Sequence, residues 1–350
     1  MNAVKQTEMP ILEYSHSAGN ESYRQKLTEY YKKVGINVSY DQVMITTGGS
    51  EAILFAFFAC LDPGDEVIIP EPLYANYLGF ACEAGVNVVS IKSTIDNAFK
   101  LPPVEAFEEV ITTKTRGILV CSPNNPTGYL YSKDEMQAIA DICKKHDLYF
   151  FSDEAYREFV YEGKSFTSVL HLNGVDDHAI LLDTISKRYS ACGARIGALV
   201  TKNEAVYNAV LKFAQARLSP PGLEQILGEA AIDLPDSYFD EPKSEYLRRR
   251  DLLVSRLNQM EGVYCPNPGG AFYAIAKLPI DDSDKFCQWL LEDFSYKNQT
   301  LMLAPATGFY VTPGLGANEV RLAYVINREA ISNAMDCLEE ALKIYPGKVI

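Results

Sequence analysis

Between about residues 42 and 200 the chain alternates short apolar runs with longer stretches of helical periodicity, and this alternation constrains the fold most. Apolar runs at residues 42–46, 66–70, 87–91, 117–121, 148–152, 179–183 and 196–201 have strand length. The helix-like SEAILFAFFAC follows Gly48-Gly49, and another helical stretch runs from about Tyr74 to a stop at Gly85. A further helix is announced by Ser132 and Glu135, which form a capping box, each satisfying an otherwise orphan backbone N–H. Met136, Ile139, Ala140 and Cys143 then recur at helical period and give it one apolar face. Strands alternating with helices predict an α/β fold: a mainly parallel sheet sandwiched by helices. Ligands of such sheets sit beyond the carboxyl ends of the strands.

The texture changes after about Pro235. A charged helix is expected at 240–261, with further helices near 282–292 and 328–344 and strands at 271–277, 301–304 and 319–325. This is a smaller α+β region. A chain of 350 residues accommodates roughly two domains, and the expected division is a large domain at 1–236 and a small C-terminal domain at 237–350.

Net charge is −14, from 46 acidic and 32 basic residues, which disfavours a nucleic-acid partner. The one basic run, Arg248-Arg249-Arg250, has Glu245 and Asp251 beside it and reads as a solvated helix face. No apolar run reaches the length of a membrane span, and MNAVKQTEMPILEY has no apolar core for a secretion signal. Eight cysteines are scattered without a CxxC pair, so they read as reduced cysteines of a cytoplasmic protein. Four histidines show no metal-ligand spacing, and no metal is expected.

The residues with chemical potential fall at the strand ends. The run at 179–183 leads into DTISKRYSACGARIG, where Lys187 has Thr184 three residues before it and Arg195 eight after. Alone, Lys187 reads as a solvated surface lysine. A hydroxyl and a guanidinium around an amine can instead anchor a phosphate beside a nucleophile, since Arg forks onto phosphate oxygens and an amine forms a Schiff base with an aldehyde. An aldehyde and a phosphate in one ligand suggest pyridoxal 5′-phosphate (PLP). Asp153, in FFSDEAY, is a carboxylate beside apolar neighbours that suits a protonated ring nitrogen, or equally caps a helix. Tyr156 could reach the phenolic oxygen of the same ring. Asn125, in CSPNNPTG, offers an amide, although a plain turn explains the composition equally well. Gly48, Gly49 and Ser50 join a strand to a helix N-terminus suited to an anion. Tyr74 offers a ring for stacking, or for ordinary core packing.

Taken together, TTGGSEA, EPLYANY, NNPTG, SDEAY, SKRYSACGARIG and EVRLAYV, in this order, resemble the class I/II aminotransferases, the aspartate-aminotransferase-like PLP enzymes of fold type I. The resemblance runs from about Tyr14 to the C-terminus. It implies that Lys187 holds the cofactor as a Schiff base and shuttles the substrate proton. It further implies that Asp153 pairs with the ring nitrogen, that Asn125 and Tyr156 contact the ring oxygen, and that Tyr74 stacks on the ring. Gly48, Gly49, Ser50, Thr184, Ser186 and Arg195 would hold the phosphate. Arg321 would clamp the substrate α-carboxylate, with Asn125 beside it, and Tyr14 would reach the phosphate of a neighbouring subunit in a homodimer. Gly270-Ala-Phe-Tyr273 resembles the segment at the substrate mouth. The implied reaction is ping-pong transfer of an amino group from an amino acid, aspartate among the candidates, to a 2-oxo acid such as 2-oxoglutarate. A C–S lyase on the same scaffold is the alternative, and a truncated non-catalytic PLP-binding relic a second one, which the intact contact positions oppose.

The chain departs from the family's pattern in two places. It opens almost at YSHSAG, so the usual N-terminal part of the small domain is expected to be absent. No residue maps onto the arginine that recognises a distal carboxylate. Arg217, in QARLSPPG, is offset and reads as a helix-end arginine.

Overall fold

The computed structural model describes residues 1–7 and 11–349. Seven strands, β1 (Val43–Thr46), β2 (Glu66–Glu71), β3 (Asn87–Lys92), β4 (Thr115–Cys121), β5 (Tyr149–Asp153), β6 (Ala179–Thr184) and β7 (Gly197–Val200), form one sheet in the order β1-β7-β6-β5-β4-β2-β3. Every neighbouring pair is parallel except those of β7, which runs antiparallel to both β1 and β6. The apolar runs are near-continuous because the sheet is buried on both faces. Alternate residues supply the two sides: Met44, Val67, Leu119 and Phe151 join one hydrophobic cluster, and Ile45, Ile68, Val120 and Phe150 join the other.

A second sheet of β8 (Tyr273–Lys277), β9 (Ala304–Pro305) and β10 (Glu319–Ala323) has the order β8-β10-β9 and is antiparallel throughout. Its Ala274, Ala276, Val320 and Leu322 belong to the same cluster as Met44 and Phe151. These strands are shorter than the sequence predicts. Ala271 takes a left-handed backbone with φ 55°, so β8 starts later, and only Ala304 and Pro305 of the third strand pair with β10. The long helices fall where periodicity puts them: Asp240–Gln259, Ser283–Glu292 and Arg328–Ile344.

The capping box is present. Ser132 Oγ accepts from Glu135 N at 3.2 Å, and Glu135 Oε2 accepts from Ser132 N at 2.7 Å. The helix expected from Tyr74 begins at Asn76 instead, which leaves Tyr74 in the loop before it, and Gly85 ends it in the left-handed conformation. The helix Glu21–Lys33 was not marked by an aliphatic stripe, because its buried face is built from Tyr23, Leu27, Tyr30 and Tyr31. Among the described residues no helix is long and apolar enough to cross a membrane, and no group of three or more His, Cys, Asp or Glu is placed to hold a metal. All eight cysteines are free, with Cys82 and Cys192 exposed and the other six buried.

Candidate active site

A cavity of about 280 Å³ opens at the carboxyl ends of the parallel strands, between the two sheets. Gly49 and Ser50 line it from the β1 end, Tyr74 from beyond β2, Asn125 from beyond β4, Asp153 and Tyr156 from β5, Thr184, Ser186, Lys187 and Arg195 from the β6–β7 loop, and Arg321 from β10. Sequence reasoning did not foresee Ile53, Cys121, Ala155 and Cys192 in this lining. Two expected residues are not in it. Gly48 lies behind Arg195, and Tyr14 is 76% exposed.

The lysine is held by its neighbours in sequence. Lys187 belongs to a four-residue helical turn, Ile185–Arg188, whose N-cap Thr184 accepts from Ser186 N at 3.2 Å. The next residue, Arg188, is buried and places Nη2 at 2.6 and 2.8 Å from the two oxygens of Asp183. Asp183 also receives Tyr31 Oη at 2.8 Å and lies 3.4 Å from Arg157 Nη1, while Arg157 bonds Glu154 at 2.8 Å. One buried ion network therefore joins the loop of Lys187 to the segment carrying Asp153 and Tyr156. Burial alone would raise the Asp183 carboxyl, but Arg188 and Arg157 outweigh it and hold it at about 2.

The anion cradle depends on close backbone approach. At Gly48 (φ 77°) a Cβ would lie 2.4 Å from Arg195 Nη2, and at Gly197 it would lie 2.5 Å from the Gly48 carbonyl carbon. Both glycines are needed to bring the helix Gly48–Cys60 against the start of β7, with Arg195 packed across its N-terminus. Gly197 went unnoticed in the sequence because its requirement comes from a neighbouring strand.

Asp153 ends β5 half-buried. Desolvation raises its carboxyl above the ordinary value, while Tyr77 Oη, donating at 2.7 Å, and Ala155 N, at 3.1 Å, favour the charged form. Among the described residues no cation lies within ion-pair distance of it. A carboxylate opening on a cavity without a cation fits a protonated pyridine nitrogen. Tyr77 was the missed member here, one helical turn beyond Tyr74. Tyr156 Oη lies 3.3 Å from Tyr273 Oη, and burial, reinforced by Tyr273, pushes its hydroxyl well above the usual range, so it stays protonated.

Arg321 projects from β10 between two rings, with Cζ 4.7 Å from the centroid of Tyr273 and 4.8 Å from that of Phe309, and Nη1 donates to Asn125 Oδ1 at 3.2 Å. Asn125 is set by the turn around it. Gly128 (φ 70°) has a carbonyl that accepts from Gly269 N at 2.9 Å and Gly270 N at 3.0 Å, so the NNPTG turn docks on the segment that leads into β8. Arg217 ends the helix Glu204–Arg217 and bonds Glu51 Oε2, Ser17 O and Ile45 O, outside the cavity lining.

The aminotransferase class I and II family matches residues 2–338. The chain is 33% identical to the aspartate aminotransferase of Pyrococcus horikoshii over 335 residues, covering 94% of this chain and 83% of that protein. It is 32% identical to aromatic-amino-acid aminotransferase 2 of Thermococcus litoralis, covering 95% and 85%. Among solved structures it resembles the aspartate aminotransferase of Thermotoga maritima with a TM-score of 0.88 and 31% identity, over 97% of this chain and 87% of that one. An alanine aminotransferase from Pyrococcus furiosus also gives a TM-score of 0.88, at 29% identity over 98% and 86%. With a cavity whose donors, anion cradle and uncompensated carboxylate suit PLP, the chain belongs to the class I and II aminotransferases and is a PLP-dependent enzyme of that family.

Proposed function

We propose that this enzyme transfers the amino group of aspartate to 2-oxoglutarate, with Lys187 as the proton carrier and Arg321 as the clamp on the α-carboxylate of each substrate in turn. The observation that carries the reading is that Lys187, Asp153 and Arg321 face one cavity from three different elements. Aspartate as donor is supported by the names of several relatives. PLP, when bound, supplies an aldehyde carbon for the substrate amine and a ring that accepts the electron pair left when the Cα–H bond breaks.

The chain's own residues provide the rest. Gly49, Ser50, Thr184, Ser186 and Arg195 would hold the phosphate, with Gly48 giving Arg195 its room. Tyr74 would lie against the ring, and Asn125 and Tyr156 would face its oxygen. Asp153, fixed by Tyr77, would keep a proton on the ring nitrogen. Lys187 Nζ would hold the aldehyde carbon at rest. The same Nζ would be the base that takes the proton from the substrate Cα and carries it to the cofactor's aldehyde carbon, on the far side of the shared nitrogen. Arg321 grips the carboxylate by two parallel bonds and so fixes the direction of the Cα–H bond.

The domain division at 236/237, a cytoplasmic location and a homodimer belong to the same reading. The homodimer is supported by the exposed Ile11, Leu12, Tyr14 and Leu218, and in it Tyr14 would reach a neighbouring active site. A panel of amino acids assayed with 2-oxoglutarate tests the function. Aspartate should give glutamate with ping-pong kinetics. Release of ammonia and pyruvate without dependence on an oxo acid would establish a lyase instead.

A further inference from the structure

We propose that Glu71 is a positioning residue for substrate binding: its buried carboxylate latches the 309–312 loop to the end of β2 and thereby sets the place of Arg321 relative to Tyr74. The proposal rests on the reading of Arg321 as the carboxylate clamp.

Glu71 is the last residue of β2 and only 1% exposed. Its Oε2 accepts from Val311 N at 2.7 Å and Thr312 N at 3.0 Å. Among the described residues its Oε1 has no hydrogen-bond partner, and no cation lies within ion-pair distance. Two residues on, Leu73 N donates to Phe309 O at 2.8 Å. Three hydrogen bonds to backbone groups thus join the end of β2 to a single loop.

Both ends of this joint lead into the active site. On the β2 side the residue after Leu73 is Tyr74, which lines the cavity. On the other side Phe309 supplies one of the two rings that enclose the Arg321 guanidinium. Tyr310 Oη donates to Glu319 Oε2 at 2.6 Å, which ties the same loop to the start of β10, two residues before Arg321. The loop therefore cannot shift without moving a wall of the guanidinium pocket. The end of β2 likewise cannot shift without moving the ring face of the cofactor site.

The chemistry of the latch argues against simple packing. A carboxylate left without a cation in a buried site is costly, and an apolar side chain would fill the space more cheaply. What the carboxylate adds is strength, because a hydrogen bond to an ionised acceptor is roughly twice as strong as one between neutral groups. It also fixes two successive N–H groups on one oxygen, and so fixes the orientation of the loop. The substrate must lie between the ring face at Tyr74 and the fork of Arg321. A latch spanning those two parts controls whether the α-carboxylate and the reacting Cα are satisfied together.

The test uses the PLP-loaded enzyme and the variants Glu71→Ala, Glu71→Gln and Arg321→Lys. Glu71→Ala removes both acceptors, whereas Glu71→Gln keeps one acceptor oxygen and turns its amide toward the unpartnered side. Glu71→Ala should raise KM about tenfold for the amino acid and the oxo acid alike, since two charge-assisted bonds are lost. The dissociation constant of PLP should change far less, by less than about twofold, because Tyr74 is its one contact adjoining β2 and the phosphate, ring-nitrogen and lysine contacts lie on other elements. The half-reaction with benzylamine, which has no carboxylate for Arg321, should keep its rate constant and saturation. Glu71→Gln should recover most of the lost affinity, leaving a KM about threefold raised. If Glu71→Ala does not fold, this selective rise in Glu71→Gln decides the matter. Unchanged KM values in the Glu71 variants, or equal losses with benzylamine and with carboxylate substrates, would overturn the proposal. An unchanged KM in Arg321→Lys would instead remove Arg321 as the clamp and take the proposal with it.

Discussion

Replacing Asp183 by Asn should destabilise the protein far more than most single substitutions, because Asp183 compensates two buried arginines at once. It is 2% exposed and holds Arg188 Nη2 at 2.6 and 2.8 Å, with Arg157 Nη1 at 3.4 Å. Without its charge, Arg188 keeps among the described residues only the Glu158 carboxylate, whose nearest oxygen is 3.6 Å from Nε, while Arg157 keeps Glu154 at 2.8 Å. Leaving a buried charge unpaired costs about 3–5 kcal/mol. Arg157 has an alternative partner, so about 3 kcal/mol is the expected loss. Urea unfolding of the apoprotein at pH 7 and fixed protein concentration measures it. The double variant Asp183→Asn/Arg188→Met removes the stranded charge, so it should lose about 1 kcal/mol or more less than the sum of the single losses. The pH dependence has a definite sign. Asp183 titrates at about 2 against an ordinary 3.8, so its contribution is present above 3.8 and is lost as pH falls toward 2. The gap between wild type and Asp183→Asn should therefore shrink over that window. A loss below about 1 kcal/mol at pH 7, or a strictly additive double variant, would refute the idea that Asp183 carries the arginines.

Three further outcomes follow from the site. Borohydride should bleach the yellow holoenzyme and fix a pyridoxyl group on one peptide; a labelled peptide without Lys187 would displace the assignment of that residue. Gly48→Ala should weaken PLP binding about tenfold, because the new Cβ meets Arg195 Nη2 at 2.4 Å and the left-handed backbone (φ 77°) adds strain; an unchanged dissociation constant would remove Arg195 from the phosphate site. Asp153→Asn should separate stability from function. The raised Asp153 carboxyl makes the folded apoprotein less stable as pH climbs above the ordinary 3.8, so the variant should unfold at an equal or higher urea concentration at pH 7 while losing PLP affinity. A lower midpoint would contradict the inferred strain at Asp153.

The seven strands of the main sheet were legible because burial on both faces writes each one as an apolar run, and a parallel sheet gathers the ends of those runs in one place. That is why Tyr74, Asn125, Asp153 and Lys187 could be picked out of separate motifs and are brought to one cavity. The second sheet was blurred, since Ala271 leaves the strand conformation by taking a positive φ that its composition does not signal. The residues supporting the site were harder still to read. Glu71 looks like an ordinary polar residue before a proline, and its meaning comes from Val311 and Thr312, 240 and 241 residues away. Asp183 and Arg188 stand five apart, but Arg157 and Tyr31, which complete their network, come from distant segments. Gly197 is required by the backbone of Gly48, not by its own turn. Local pattern records propensity and burial, and it does not record which distant group an ion or a glycine answers to.

The reversed direction of β7 bears on how this protein can vary. Lys187 and Arg195 sit on a single excursion whose two feet, Thr184 and Gly197, are paired with each other, and Ile185 N is bonded to Ile196 O at 3.2 Å. The segment is thus a ring closed at its base. Within the ring, an exposed position such as Gly193, where an added Cβ would meet nothing within 4 Å, is free to exchange side chains without moving the feet. An inserted or deleted residue between Lys187 and Arg195 instead changes the arc that separates the amine from the guanidinium. Along this stretch, length is under tighter physical control than identity, and divergence by substitution is open where divergence by insertion is closed.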